Sequence, residues 1–245
     1  PSFARVPFRR DNSVWLNNRG LGVNIYILDT GVFQSVDFRM NENPLSANRL
    51  TYDANFVGGA AGGSHGTTVA GMAAGMRCGV AKEANVHSIK VGSSNGIQRK
   101  DALKALQFVR ENGVSPAVIN CSFVGWSDAS FRNEILTLAT NRKIAVIVAS
   151  GNDSRSNFLD ILATISVGSA SIGRDFPPMG MPQPQGSSYL ACPTVYALPY
   201  LGGDVDIYAP TSNNHLSNLP ANTGAVLSPD ANGTGYYYNG LGASS

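Results

Sequence analysis

The sequence has few charged residues and almost no excess of either sign. Acidic and basic side chains make up 14% of its 245 residues, and the formal net charge is +2. A protein that binds nucleic acid normally presents a clustered basic surface, and no basic run occurs here. Hydrophobic residues make up 43% of the chain, which is typical of globular and not of disordered proteins. The composition therefore indicates a globular protein that does not bind nucleic acid.

Long apolar runs and cysteine pairs are also missing. No stretch of eighteen consecutive apolar residues occurs, so the sequence predicts no membrane span. With only Cys78, Cys121 and Cys192, at most one internal disulfide can form and one thiol is left over. Which of the three would pair stays open. Their spacing matches no zinc-binding pattern, and the chain has only three histidines, which argues against a structural zinc site.

Short apolar runs rich in β-branched residues alternate with helical patterns. The runs predict strands at 23–28, 86–91, 117–123, 145–150, 164–169 and 206–210. Apolar residues recur at helical spacing in 100–112 and 130–143, and Ser130 is placed to cap the second of these helices. Strands that are apolar on both faces and alternate with helices are typical of a buried parallel sheet. We therefore expect a three-layer, doubly wound α/β fold with a mostly parallel central sheet flanked by helices.

One region departs from this alternation. Residues 175–203 are dense in proline, glycine and tyrosine. We interpret them as an ordered insertion, a long loop with some hairpin content, within a single domain that covers residues 1–245.

Polar residues follow several of the predicted strands. Asp29 ends the first strand in the segment LDTGV, and the segments SFVG and SGND follow the strands at 117–123 and 145–150. His65 opens the segment HGTTVAGMAAG, whose small residues suit a helix packed tightly against its neighbours. Because the carboxyl ends of parallel strands meet at one edge of a sheet, we expect a site there. Taken singly, Asp29 fits a turn residue and His65 fits a buried core histidine.

Several segments, in order along the chain, resemble the subtilisin family of serine proteases, and within it the proteinase K branch. They are YILDTGV, SHGTTVAGMAAG, VINCSFVG, VIVASGND, VDIYAP and NGLGASS. The resemblance runs from about residue 20 to the end of the sequence, apart from the insertion. It implies a serine endopeptidase that is secreted, acts on polypeptides and needs no cofactor for catalysis.

The resemblance also implies the roles of four residues. Ser244 is the nucleophile, His65 is the base that takes its proton, and Asp29 orients the imidazole. Asn152 donates its side-chain amide to the oxyanion that develops during the reaction. We expect Nδ1 of His65 within hydrogen-bonding distance of Asp29, and Nε2 near Ser244.

Two other interpretations compete with the enzyme. Ala243 stands where the family has threonine, which favours a catalytically inactive subtilase-like module with a structural or interaction role. An α/β-hydrolase that acts on esters is the other interpretation. It needs a Gly-x-Ser-x-Gly elbow ahead of its acidic residue and histidine, and that order is absent.

The resemblance further predicts a substrate cleft and a metal ligand. The cleft residues are Ser122, Phe123, Val124, Gly125, Ala149, Ser150 and Gly151. None is charged, so we expect an apolar residue at P1, and Val124, where the family has glycine, is expected to restrict bulk. Asp206 matches a structural calcium ligand of the branch, with carbonyl partners near Leu162 and Thr164. An aspartate that caps the end of a strand is an equally good interpretation.

The position of Ser244 next to the end of the sequence carries one more expectation. In the family the nucleophile begins a long buried helix, and Ser245 is the last residue here. A helix of about fifteen residues would bury roughly five apolar side chains, each contributing about 1.5–3 kcal/mol. We therefore expect the domain to lack its C-terminal segment as given, and a separate C-terminal fragment of the same precursor to be a partner.

Overall fold

Strands and helices alternate along most of the described chain. The computed structural model describes residues 18–40, 45–77, 79–93, 95–123, 125–149, 161, 163–171, 189–190, 206–211, 226–229 and 236–239. The first half contains β1 (Asn24–Asp29), β2 (Leu50–Asn55), α1 (Ser64–Ala74), β3 (Asn85–Lys90), β4 (Gly92–Ser93), β5 (Gly96–Ile97) and α2 (Arg99–Asn112). The second half contains β6 (Ala117–Cys121), α3 (Ala129–Thr137), β7 (Ala145–Ala149), β8 (Thr164–Ser171), β9 (Tyr189–Leu190), β10 (Ile207–Thr211), β11 (Val226–Pro229) and β12 (Tyr236–Asn239). A short 3-10 helix at Val36–Phe38 and a π-helical turn at Leu138–Arg142 complete the set.

The main sheet is parallel along its whole path. Its strand order is β10-β8-β7-β6-β1-β3-β2, and each neighbouring pair in that order runs parallel. The short β9 adds an antiparallel pair to β8. Two small antiparallel pairs, β4 with β5 and β11 with β12, lie outside this sheet. The mostly parallel sheet predicted from the sequence is therefore confirmed, with β1 near its centre.

Helices cover both faces of this sheet, as β1 shows most clearly. Tyr26 and Leu28 belong to a buried cluster with residues of α2 and α3. Ile25 and Ile27 point to the other face and belong to a cluster with residues of α1. A fully buried side chain of this size stabilises the fold by about 1.5–3 kcal/mol. The three-layer α/β architecture is confirmed, and it explains why β1 is apolar at successive positions.

The fold differs from the sequence prediction at the short strands β4, β5, β11 and β12, which were not predicted, and at two further features. The strand β2 was not predicted, because it is the outer strand of the sheet and most of its side chains are exposed or half-buried. The prediction of Ser130 as a helix cap was wrong. Asp128 is the N-cap of α3, and its carboxylate accepts a hydrogen bond from the main-chain N–H of Ser130 at 3.0 Å. Ser130 therefore lies inside the first turn of the helix, and the carboxylate that precedes it takes the capping role.

Other predicted features fall largely outside the described residues. Of the insertion at 175–203, the structure describes only β9, which pairs antiparallel with β8. None of the helices in the described part of the chain combines the length and the apolar character that a bilayer span requires.

Candidate active site

Asp29 and His65 lie side by side at the carboxyl end of β1. Asp29 is the last residue of β1, and His65 is the second residue of α1. Nδ1 of His65 lies 2.9 Å from Oδ1 and 3.0 Å from Oδ2 of Asp29. An ionised carboxylate accepts hydrogen bonds and cannot donate them, so Nδ1 is the donor. In the neutral ring, Nε2 is then the nitrogen with the free lone pair. The arrangement presents a basic nitrogen on the side of the ring away from Asp29.

The two side chains differ sharply in their exposure to water. The side chain of Asp29 is 1% exposed, whereas that of His65 is 36% exposed. The hydrogen bond to Asp29 raises the pKa of His65 above 6.5; burial of the ring opposes this, and the negative charge of Asp29 adds to it. The buried carboxylate therefore orients an imidazole that is still partly open to solvent, which is a geometry that suits a general base.

Hydrogen bonds tie the turn after Asp29 to its surroundings. The main-chain N–H of Thr30 donates to Oδ1 of Asp29 at 2.6 Å, which leaves this carboxylate with donors from two sides. Phe33 donates its N–H to Oγ1 of Thr67 on α1 at 2.8 Å. The contacts of Thr30 and Thr67 could not be predicted from the sequence, because a threonine in an apolar segment does not indicate which distant part of the chain it will meet.

The helix α1 approaches this turn very closely at Gly66. A side-chain Cβ built on Gly66 would lie 2.3 Å from the carbonyl oxygen of Gly31 and 3.1 Å from Cβ of Asp29. The N–H of Gly63 also donates to the carbonyl of Gly31 at 3.1 Å. The small residues around His65 therefore allow the close packing that the sequence predicted.

Predicted cleft residues lie at the carboxyl ends of β6 and β7, the two strands that follow β1 on one side of the sheet. Ser122, Phe123 and Gly125 follow β6, which pairs with β1, and all three are buried. Ala149 ends β7, which pairs with β6, so these residues lie at the same sheet edge as Asp29. Oγ of Ser122 accepts a hydrogen bond from Nδ2 of Asn120 at 2.8 Å. The remaining predicted residues lie outside the described residues: Val124, Ser150, Gly151, Asn152 and Ser244.

Cys121 lies beneath this site but cannot act as its nucleophile. The side chain is buried at the end of β6 and carries a free thiol. Burial raises the pKa of the Cys121 thiol far above its ordinary value, and the charge of Asp29 raises it further. The reactive form of cysteine is the thiolate, so this thiol is inert. Cys78 and Cys192 lie outside the described residues.

Asp206, the predicted calcium ligand, contacts the strand β8. Its Oδ2 accepts hydrogen bonds from the N–H of Ser166 at 2.8 Å and from Oγ of Ser166 at 3.0 Å. Leu162 lies outside the described residues, and the described part of the chain holds no group of three or more metal-ligating side chains. Calcium binds six to eight oxygen ligands. Asp206 supplies one carboxylate, and Oδ2 of that carboxylate already accepts hydrogen bonds from Ser166. The described contacts fit the alternative interpretation, an aspartate that caps the end of a strand, since Asp206 directly precedes β10 and binds Ser166 of the neighbouring β8. The calcium site stays a prediction.

Comparison with known proteins identifies the family. The model of the subtilase family of peptidases matches residues 20–240. The chain belongs to the subtilase family. This confirms the family that the ordered sequence segments resembled. The described residues of this subtilase include the segments around Asp29 and His65 and exclude those around Asn152 and Ser244.

Curated relatives of this subtilase include a bacterial and a fungal protein. It is 35% identical over 142 residues to an extracellular serine proteinase of Thermus sp. (strain Rt41A), an alignment that covers 56% of this chain and 32% of the relative. It is 32% identical over 236 residues to subtilisin-like protease 3 of Arthroderma benhamiae, an alignment that covers 91% of this chain and 52% of the relative. The chain thus spans about a third to a half of the length of these relatives.

A solved structure shows the same fold. The crystal structure of a cold adapted subtilisin-like serine proteinase aligns with a TM-score of 0.68 and 23% sequence identity. The alignment covers 98% of this chain and 75% of that protein. At this identity the likeness supports the fold alone.

Proposed function

We propose that this subtilase is a serine endopeptidase that cleaves peptide bonds through an acyl-enzyme. The observation that carries the proposal is the contact of the buried Asp29 carboxylate with Nδ1 of His65, at 2.9 and 3.0 Å, in a chain of this family. The contact fixes the tautomer in which Nε2 is free to accept a proton. The names of the curated relatives, a serine proteinase and a subtilisin-like protease, support the same activity.

In the first half of the proposed reaction, Oγ of Ser244 attacks the carbonyl carbon of the scissile bond. Its proton passes to Nε2 of His65, and the imidazolium that forms is stabilised by Asp29. The tetrahedral intermediate then collapses, the C–N bond breaks, and the leaving amine takes the proton from Nε2. The carboxylate of Asp29 can stabilise this imidazolium because it already accepts hydrogen bonds from the main-chain N–H of Thr30 and from Nδ1 of His65.

In the second half, a water molecule attacks the acyl-enzyme. Nε2 of His65 takes a proton from the water, and the ester bond to Ser244 breaks with return of that proton to Oγ. In both halves we propose that the side-chain amide of Asn152 donates to the oxyanion. In subtilisin, after which this family is named, removal of one such donor raises the reaction barrier by about 2.7–4 kcal/mol.

The substrate is proposed to be a polypeptide with an apolar residue at P1. The support lies in the cleft segments that follow β6 and β7, which contain no charged side chain at residues 122–125 and 149–151. A lysine or arginine at P1 would lose hydration there without gaining a partner among those residues. We also propose that the enzyme is secreted, since one relative is named an extracellular proteinase. If calcium binds, Asp206 would contribute a carboxylate oxygen, with a structural role.

Labelling with a fluorophosphonate probe tests the activity directly. The probe reacts with an activated serine, and we expect a single adduct on the peptide that contains Ser244, together with hydrolysis of a casein substrate. Ser244→Ala should abolish both, and His65→Ala should reduce both to background, because the serine loses its base. Intact protein that folds, takes up no probe and cleaves no casein would instead identify the inactive, structural module.

A further inference from the structure

The helix that carries His65 begins without a cap of its own. Its N-cap residue is Gly63, which has no side chain to accept a hydrogen bond, and none is made there. The first N–H groups of a helix have no partner within the helix, and a side chain at the N-cap normally accepts from the second or third of them. In α1 the third residue is Gly66, directly after His65.

A hydroxyl group from another part of the chain supplies this cap. Oγ1 of Thr30 accepts a hydrogen bond from the N–H of Gly66 at 3.1 Å, across 36 residues of sequence. The main-chain N–H of the same threonine donates to Oδ1 of Asp29 at 2.6 Å. Thr30 therefore contacts both the Asp29 carboxylate and the helical turn that contains His65.

The space at the start of α1 is shaped for this arrangement. A Cβ built on Gly63 would lie 2.4 Å from Oγ1 of Thr30 and 2.5 Å from its carbonyl oxygen. Both distances are shorter than real Cβ contacts, so a serine or aspartate cap at position 63 is excluded by Thr30 itself. Glycine at the N-cap of α1 therefore leaves room for both the main chain and the hydroxyl of Thr30.

We propose that Thr30 is a positioning residue, whose hydroxyl caps α1 and fixes the imidazole of His65 against Asp29. Its consequence for catalysis rests on the proposed function, whereas its consequence for the His65 pKa does not. The hydrogen bond to Asp29 is the main cause of the raised pKa of His65. A first turn that moves away from Thr30 lengthens that bond, and the pKa of His65 falls back towards 6.5.

Two matched pairs of variants isolate the hydroxyl. Thr30→Val keeps the shape of the wild-type side chain without its hydroxyl, and Thr30→Ala differs from Thr30→Ser by the hydroxyl alone. Thr68→Val is the control, because Thr68 is a buried threonine of the same helix whose hydroxyl donates to the carbonyl of Ser64. Each purified protein is first checked for folding by thermal denaturation.

The primary measurement is the pKa of His65, which is obtained by NMR titration of its imidazole resonances. We expect Thr30→Val and Thr30→Ala to lower that pKa by about half a unit or more, and Thr30→Ser and Thr68→Val to leave it near the wild-type value. In the active enzyme, Thr30→Val should also lower kcat by about tenfold to a hundredfold with little change in KM, and should move the acid limb of the pH profile to lower pH.

The outcomes separate this proposal from the proposed function. The wild-type protein could lack peptidase activity while its His65 pKa still depends on the Thr30 hydroxyl. That result would refute the proposed endopeptidase activity and support the positioning role of Thr30. The protein could instead be active while neither its His65 pKa nor its pH profile changes when the hydroxyl is removed. That result would refute only the positioning role of Thr30. If both variants without the hydroxyl fail to fold while Thr30→Ser and Thr68→Val fold, the hydroxyl is purely structural and the positioning role is overturned.

Discussion

Gly66 lies so close to Asp29 that a methyl group on it would be 3.1 Å from Cβ of the aspartate. The same methyl group would be 2.3 Å from the carbonyl oxygen of Gly31, which is main chain and cannot rotate away. The helix of His65 and the strand end of Asp29 are therefore in contact through backbone atoms. The distance between the helix and the strand end depends on Gly66, because it has no side chain.

Gly66→Ala tests this contact. We expect the added methyl to push α1 away from the turn after Asp29, with a loss of about 1–3 kcal/mol in the free energy of unfolding. Peptidase activity should fall further than stability alone explains, because the His65–Asp29 distance increases. Urea denaturation and kcat/KM give the two quantities. Ser64→Ala, a change at an exposed residue of the same helical turn, is the control, and equal effects of the two variants would show that the close approach is unimportant.

The raised pKa of His65 predicts opposite pH trends for stability and activity. A folded-state pKa above the unfolded value of 6.5 means that the folded protein binds the proton more tightly. The stability that this pair contributes is therefore fully present below about pH 6.5 and is lost as the pH rises through the folded pKa. Activity needs the neutral imidazole and should rise over the same interval.

His65→Gln provides the measurement of the stability trend. The substitution is made in a Ser244→Ala background, which prevents self-cleavage, and Tm is compared with and without it. We expect the Tm difference to be larger at about pH 5.5 than at about pH 9, because the protonated imidazole is what Asp29 stabilises. The acid limb of kcat/KM in the wild-type enzyme should lie above pH 6.5. A Tm difference that grows with pH would contradict the sign derived from the hydrogen bond to Asp29.

The contacts of Asp206 predict how its variants respond to calcium. Asp206→Ala removes the acceptor of two hydrogen bonds from Ser166, which is buried, and should cost about 1–3 kcal/mol. Asp206→Asn keeps an oxygen that can accept from Ser166 and should cost much less. We expect this order of Tm values in chelator as well as in excess calcium. A metal ligand would behave differently, since both variants would lose a calcium-dependent rise in Tm that the wild type shows.

Val124 predicts the selectivity of the cleft. It lies outside the described residues, and the resemblance of its segment to the family places it where the family has glycine. We expect Val124→Gly to relax the preference against bulky side chains at P1 and P4, measured as a ranking of kcat/KM over a peptide series. Val80→Gly, the same change at an exposed residue after α1, should leave the ranking unchanged. An unaltered ranking in the Val124 variant would show that Val124 does not determine the selectivity of the cleft.

The sequence predicted those parts of the fold that local patterns determine. The inner strands were recognised because side chains such as Ile27 and Leu28 of β1 are apolar at successive positions and meet helices on both faces. The outer strand β2 was missed because its segment LTYDAN has mostly exposed or half-buried side chains and resembles a polar loop. The cap of α3 was misplaced, since Ser130 and Asp128 are equally good caps in isolation.

In the candidate site, too, some residues could be predicted from the sequence and others could not. Asp29 and His65 could be proposed together because ordered segments of a known family contain them, and the structure places them in contact. The contact of Thr30 with Gly66 could not be proposed, because it depends on how β1 and α1 pack and no local pattern encodes it. The oxyanion residue Asn152 and the nucleophile Ser244 stay predictions.

The central position of β1 governs how quickly the chain can refold. Asn24 pairs on one side with Asn85, which lies 61 residues further along the chain, and on the other side with the still more distant Ala117. Two large loops must close before β1 gains either partner, and their entropy is lost before the buried contacts compensate for it. Sheets built from such distant pairings fold on the scale of milliseconds to seconds or more slowly. Because Asp29 ends β1, recovery of the Asp29–His65 contact after denaturation should follow the closure of these loops.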